Sequence, residues 1–122
     1  MKSELGRFLP QTEAEWLQTG EFEIGNSLIL GNSIRYALVR PQAPSRTLTV
    51  MVGGIPRDAE RQRTLPLINK LYGRLALLQA RRDSYSLLYS QPGTGKSTGD
   101  LSRETFRTRI DTLVGLISDI AR

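Results

Sequence analysis

Among the 122 residues of this chain there is no cysteine and no histidine. The missing thiols exclude disulfides, thiolate nucleophiles and cysteine-based zinc sites. The missing imidazoles exclude more. A Ser-His-Asp triad cannot be completed from these residues, nor can a His-ligated metal site. The carboxylates are scattered and match no metal-loop spacing, so no metal or cofactor is expected. No run approaches the roughly 18 apolar residues that a membrane span needs. The N-terminus, MKSELGRFLPQTEAEW, has no apolar core like that of a secretory signal. The expectation is a cytoplasmic protein that binds no membrane.

What is present fits one small domain. The hydrophobic fraction of 39% suffices for one core. The net charge is +5, unevenly spread. Residues 1–34 carry two basic and five acidic groups, residues 35–82 ten and two, and residues 83–122 five of each. A basic middle suits an anionic partner, but no aromatics interleave with its charges as single-strand binders require. A solvated helix face with linker arginines is the expected use, without nucleic acid.

The pattern divides at about residue 20. Residues 1–20 read as a helical or extended segment, with Thr12 capping a short turn, Glu13 and Glu15 in its first positions, Trp16 and Leu17 on its buried side, and Gly20 ending it. Residues 21–122 read as the main domain. Gly31-Asn32 between LIL and SIRYALV predicts a hairpin. Alternation of Ile34, Tyr36 and Leu38 predicts a strand with one buried face. TLTVMV, residues 47–52, suits a central strand buried on both faces. RDAERQR reads as a loop or frayed helix start. Residues 64–80 predict an amphipathic helix capped by Thr64, with Ile68, Leu71, Tyr72, Leu75 and Leu78 on its apolar face. SYSLLY, residues 84–89, is a second short strand. Asp100 or Ser102 caps a last helix whose apolar positions are Phe106, Ile110, Leu113, Val114, Ile117 and Ile120. Leu101 would pack back as a staple. The order is β-hairpin, β, α, β, α, an α/β class, and the strand-helix-strand unit implies parallel neighbours.

The turn between the second short strand and the last helix, SQPGTGKSTGD at residues 90–100, resembles the phosphate loop G-x-x-x-x-G-K-[ST]. Gly95, Lys96 and Ser97 match its end. Its first glycine falls on Ser90, and Pro92 removes a backbone N–H from a loop that would work through such groups. A phosphate or nucleotide binder is the weaker reading. A structural turn is the stronger one, with Gly93 and Gly95 where side chains would strain and Ser97 bonded to nearby backbone. Lys96 is read as structural too.

The residues around this turn are similar to those of the α/β-hydrolases, in particular their serine-aminopeptidase-like, acyl-ester-cleaving branch. That family often reads D-x-R-G-x-G-x-S after its fourth strand. Here the run is Ser90-Gln91-Pro92-Gly93-Thr94-Gly95-Lys96-Ser97. After its third strand it often reads H-G-G-P, and here Gly53-Gly54-Ile55-Pro56 follows Val52. The leading hairpin and the single helix between the two motifs fit as well. The resemblance spans residues 20–122. It implies the N-terminal part of an α/β-hydrolase sheet in a three-layer αβα arrangement, truncated before the nucleophile elbow. It places half of an oxyanion hole at the backbone N–H of Ile55, with Gly54 permitting close approach. A plain Gly-Gly turn ending a strand is the alternative. Gly53 stands where the family's histidine is usual, and Ser90 and Pro92 where its aspartate and arginine are.

No G-x-S-x-G occurs in the chain, and no serine has a histidine to activate it. The resemblance therefore implies no catalytic residue here and no activity alone. Ester, thioester or peptide hydrolysis of a small acyl substrate would need a complementary C-terminal half. A non-catalytic binding or assembly module is the other reading. In both, uncovered strand edges invite self-association or pairing with another chain.

Overall fold

A computed structural model describes residues 12–121. The helical or extended segment expected at residues 1–20 therefore lies partly outside the described residues. Helix α1, Glu13–Gln18, is capped by Thr12, whose side chain accepts from the Glu15 N–H. It carries Trp16 into the interior, 1% exposed. Strands β1, Glu23–Ile29, and β2, Asn32–Val39, form an antiparallel hairpin. Strand β3, Leu48–Met51, leads through helix α2, Ala59–Thr64, and helix α3, Lys70–Arg81, to strand β4, Tyr85–Tyr89. A short 3-10 turn at Leu101–Arg103 precedes helix α4, Phe106–Ile120.

The four strands form one sheet in the order β1-β2-β4-β3. β2 runs antiparallel to both neighbours, and β3 is parallel to β4. Two cores cover the two faces. On one face, Trp16, Phe22, Leu67, Ile68 and Ala76 pack on Ala37, Val39 and Leu88. On the other, Leu116 with Ile117 and Ile120 of α4 packs on Ile29, Ile34, Leu38 and Leu87. The layers are therefore α1 and α3, the sheet, and α4. This is an α/β fold, with helices on both faces of one mixed sheet.

Several local expectations shift. The hairpin turns at Leu30-Gly31, one residue earlier than Gly31-Asn32, because Ile29 pairs with Asn32. Both turn residues hold positive φ, 51° and 82°, as the mirror-image two-residue turn demands. β2 is buried on both faces, since Ala37 and Val39 serve one core and Ile34 and Leu38 the other. β3, expected to be central, lies at the edge of the described sheet and is only half-buried. The helix expected over residues 64–80 starts only at Lys70, and the preceding polar segment, read as a loop or frayed helix start, forms α2. Thr64 ends α2, which Asp58 caps, and Asn69 caps α3 by accepting from the Tyr72 N–H at 2.7 Å.

α3 also turns a different face inward. Gly73 and Ala76 are its buried residues, whereas Leu71, Leu75 and Leu78 are exposed. Gly73 lies against the Trp16 ring, where a Cβ would come within 2.7 Å. The last helix is capped by Thr105 in a reciprocal pair with Thr108, while Asp100 caps the 3-10 turn before it. Phe106 and Val114, expected on its buried face, are exposed. No helix among the described residues is long and apolar enough to cross a membrane.

Candidate functional site

The parallel strands β3 and β4 end side by side, and a glycine-bearing turn follows each. Between the turns lies a cleft of about 340 Å³. Gly53, Gly54 and Ile55 line one wall, Ser90, Gln91 and Thr94 another, and Leu65, Leu71 and Tyr72 close the side. The crevice beyond the carboxyl ends of parallel strands is where open α/β sheets place their ligands.

The turn after β4 is closed by its own hydrogen bonds. The N–H of Gly93 donates to Thr98 O at 3.0 Å, that of Thr94 to Gln91 O at 2.9 Å and that of Ser97 to Thr94 O at 3.0 Å. The N–H of Gly95 donates to Gln62 O at 2.8 Å and that of Thr98 to Ser33 O at 3.0 Å. A phosphate cradle works by presenting such donors to an anion. Here five of them are committed to carbonyls of the chain, and the Lys96 side chain is exposed. Backbone shape agrees. Gly95 has φ of +52°, and a Cβ there would lie 2.9 Å from the Leu65 carbonyl oxygen, so no larger residue fits without displacing the neighbouring segment. Gly93 has φ of +81° and abuts the backbone of Leu101.

Ser97 is buried and ties three segments. Its Oγ donates to Ser90 O at 2.6 Å and accepts from the Arg35 N–H at 2.9 Å. Its carbonyl accepts from Arg63 at 3.3 Å, and the same guanidinium reaches Gly99 O at 3.3 Å. One arginine of the basic middle is thus a brace on the turn.

The turn after β3 is held from two directions. Gln91 Nε2 donates to Gly53 O at 3.1 Å. Gln62 Nε2 donates to Pro56 O at 2.8 Å, while the Gln62 carbonyl accepts from Gly95. Gln62 therefore links the two turns directly. Gly54 and Ile55, between these anchors, make no backbone hydrogen bond to another described residue. Both line the cleft. Gly54 is exposed and Ile55 half-buried at this wall of the cleft.

Gln62 and Gln91 escaped the sequence reading. Gln62 sat in a segment too polar to show a periodic pattern, and Gln91 occupied a variable position of its motif. Only the fold brings them to the turns. Tyr89, at the end of β4, is half-buried, and burial raises its phenol above the ordinary value, with a smaller opposing effect from the Arg109 charge. Asp100 is held below the usual carboxylate range, first by the Ser102 hydroxyl and then by the Ser102 N–H. Among the described residues no cluster of carboxylates could hold a metal ion.

No family model matches the sequence, and no curated protein matches it. Among solved structures the chain is similar in fold to the epoxide hydrolase VrEH1 from Vigna radiata, at 18% identity with a TM-score of 0.57. The match covers 84% of this chain and 28% of that one. The chain thus spans little more than a quarter of that enzyme's length.

Proposed function

We propose that this chain is the N-terminal part of a serine hydrolase of the α/β-hydrolase fold. In this reading it cleaves ester, thioester or peptide bonds only when completed by a part that bears the nucleophile, the triad acid and the histidine. Its own contribution is half of the oxyanion hole, from the Ile55 N–H with Gly54 beside it, and no triad residue. The observation that carries the reading is the placement of Gly54 and Ile55. Their N–H groups have no partner among the described residues and border a cleft at the carboxyl ends of two parallel strands. The likeness to an epoxide hydrolase supports the fold and leaves the bond cleaved open.

Chemistry explains why the chain alone is inactive in this reading. A serine hydroxyl needs a base to take its proton, and a chain without histidine lacks the usual one. Donors aimed at the oxyanion position stabilise a transition state only where a nucleophile creates it, and one such donor is worth about 2.7–4 kcal/mol.

The test begins with the reading frame that encodes this chain. It should continue into a strand, a G-x-S-x-G turn, an acid and a histidine. The two parts, expressed together, should hydrolyse p-nitrophenyl acetate and react with a fluorophosphonate probe, while residues 1–122 alone do neither. A frame that closes without such a turn, or esterase activity in the chain alone, overturns the reading.

A further inference from the structure

We propose that Gln62 and Gln91 are positioning residues for the Ile55 N–H, each anchoring one end of the turn after β3. The inference deepens the hydrolase reading and rests on it. The turn runs from Gly53 to Pro56 and has one loose joint. The Pro56 ring fixes its own φ, and a residue before proline is biased toward extended conformations, which restricts Ile55. Gly54 has no such limit. A Cβ there would meet no atom within 4 Å, and glycine rotates more freely than any other residue. Local sterics therefore leave the plane of the Gly54–Ile55 peptide, which carries the Ile55 N–H, unfixed.

The two glutamines hold the chain on either side of that joint. Gln91 Nε2 donates to Gly53 O at 3.1 Å. This carbonyl shares one planar trans peptide with the Gly54 N–H, so the anchor turns that N–H to the side away from Gln91. Beyond the joint, Gln62 Nε2 donates to Pro56 O at 2.8 Å. Gln91 is itself seated. Its carbonyl accepts from the Thr94 N–H at 2.9 Å and from the Thr94 hydroxyl at 2.7 Å, and Thr94 is fully buried.

Gln62 belongs to α2, a helix with no buried residue. Without an apolar anchor, α2 is placed by polar contacts to the turn after β4. The Gln62 carbonyl accepts from the Gly95 N–H at 2.8 Å. The Arg63 guanidinium reaches the carbonyls of Ser97 and Gly99, each at 3.3 Å. α2 is thus a strut between two turns and no part of the core. Through both glutamines the turn after β3 takes its position from the turn after β4, which Ser97 in turn ties to β2.

Nitrogen-15 relaxation of the 122-residue chain tests the anchoring. In the parent, Gly54 and Ile55 should have order parameters near the rigid value of about 0.85. Gln91→Glu and Gln62→Glu keep the side-chain length and remove the amide donor. Each should lower both values below about 0.6 while Val50 and Leu87 keep theirs. If a glutamate variant fails to fold by near-ultraviolet circular dichroism, Gln91→Asn, which keeps the amide and loses the reach, takes its place. Parent values below about 0.6, or variant values equal to the parent's, overturn the proposal. In the completed protein, with active sites counted by the extent of fluorophosphonate labelling, the same substitutions should lower kcat for p-nitrophenyl acetate about ten- to a hundredfold and leave KM within about twofold. A purely structural role would not alter kcat per active site, so an unchanged kcat, or a rise in KM alone, also overturns it. A completed parent without esterase activity sinks the hydrolase reading, while the order parameters still decide whether the glutamines hold the turn.

Discussion

The side chain of Ser97 holds the backbone of Arg35, accepting its N–H at 2.9 Å across 62 positions of sequence. The same hydroxyl donates to Ser90 O at 2.6 Å. The end of β4, the start of the glycine-bearing turn and the middle of β2 are thereby fixed to one atom.

Ser97→Ala leaves the Arg35 N–H and the Ser90 carbonyl without this partner. An unsatisfied buried group costs about 1–3 kcal/mol. Ser97 is 1% exposed, so water has no easy access as a replacement. Urea unfolding of the variant should show a loss within that range. A midpoint equal to the parent's would mean that the hydroxyl contributes nothing net.

Gly73→Ala sets two effects of known size against each other. Replacing a mid-helix glycine by alanine ordinarily gains up to about 1 kcal/mol. Here the new Cβ would lie 2.7 Å from the Trp16 ring, and overpacking of a core typically costs about 1–3 kcal/mol. Contact wins, so the variant should be less stable and the Trp16 fluorescence should shift. A stabilised variant with unchanged fluorescence would contradict the packing of α1 on α3.

The turn at residues 90–100 should bind no nucleotide. Its N–H groups are committed within the chain and Lys96 is exposed. Calorimetric titration with magnesium-ATP should give no saturable heat for the parent or for Lys96→Ala. Saturable binding that Lys96→Ala abolishes would restore the phosphate-loop reading.

Tyr89 predicts a pH dependence at the alkaline end. Its folded-state pKa is raised, first by burial and with opposition from Arg109. The folded state therefore retains the phenol proton longer than the unfolded state. The associated stability is full below the unfolded pKa of about 10 and is lost as pH rises through the folded value. Ultraviolet titration of the phenolates should show a late-titrating component that Tyr89→Phe removes. If the variant's curve keeps that component, the late phenol is another tyrosine.

Much of the frame was legible from the chain. Two charge-free runs bounded by glycine gave β3 and β4, and Thr12 and Trp16 gave α1 its cap and its anchor. The element order implied parallel neighbours, which the pairing of Val50 with Leu87 realises. The two glycine turns were found by their letters. Their coupling through Gln62 was not, because a side chain that bridges two loops leaves no period in sequence.

The sequence by itself determined the local punctuation: where strands stop, where glycine must stand, and which chemistries a chain without histidine or cysteine cannot perform. The tertiary structure decided which side of each element faces inward. Leu71, Leu75 and Leu78 form the more hydrophobic face of α3, yet Gly73 and Ala76 are the residues buried. Hydrophobicity sets the gain from burial, but the space between layers sets what fits. With Trp16 filling the gap over the sheet, small residues let the helix approach and the leucines remain outside. The same geometry brings the turns after β3 and β4 together, so that Gly54 and Ile55, ordinary in sequence, border a cleft only once the strands lie parallel.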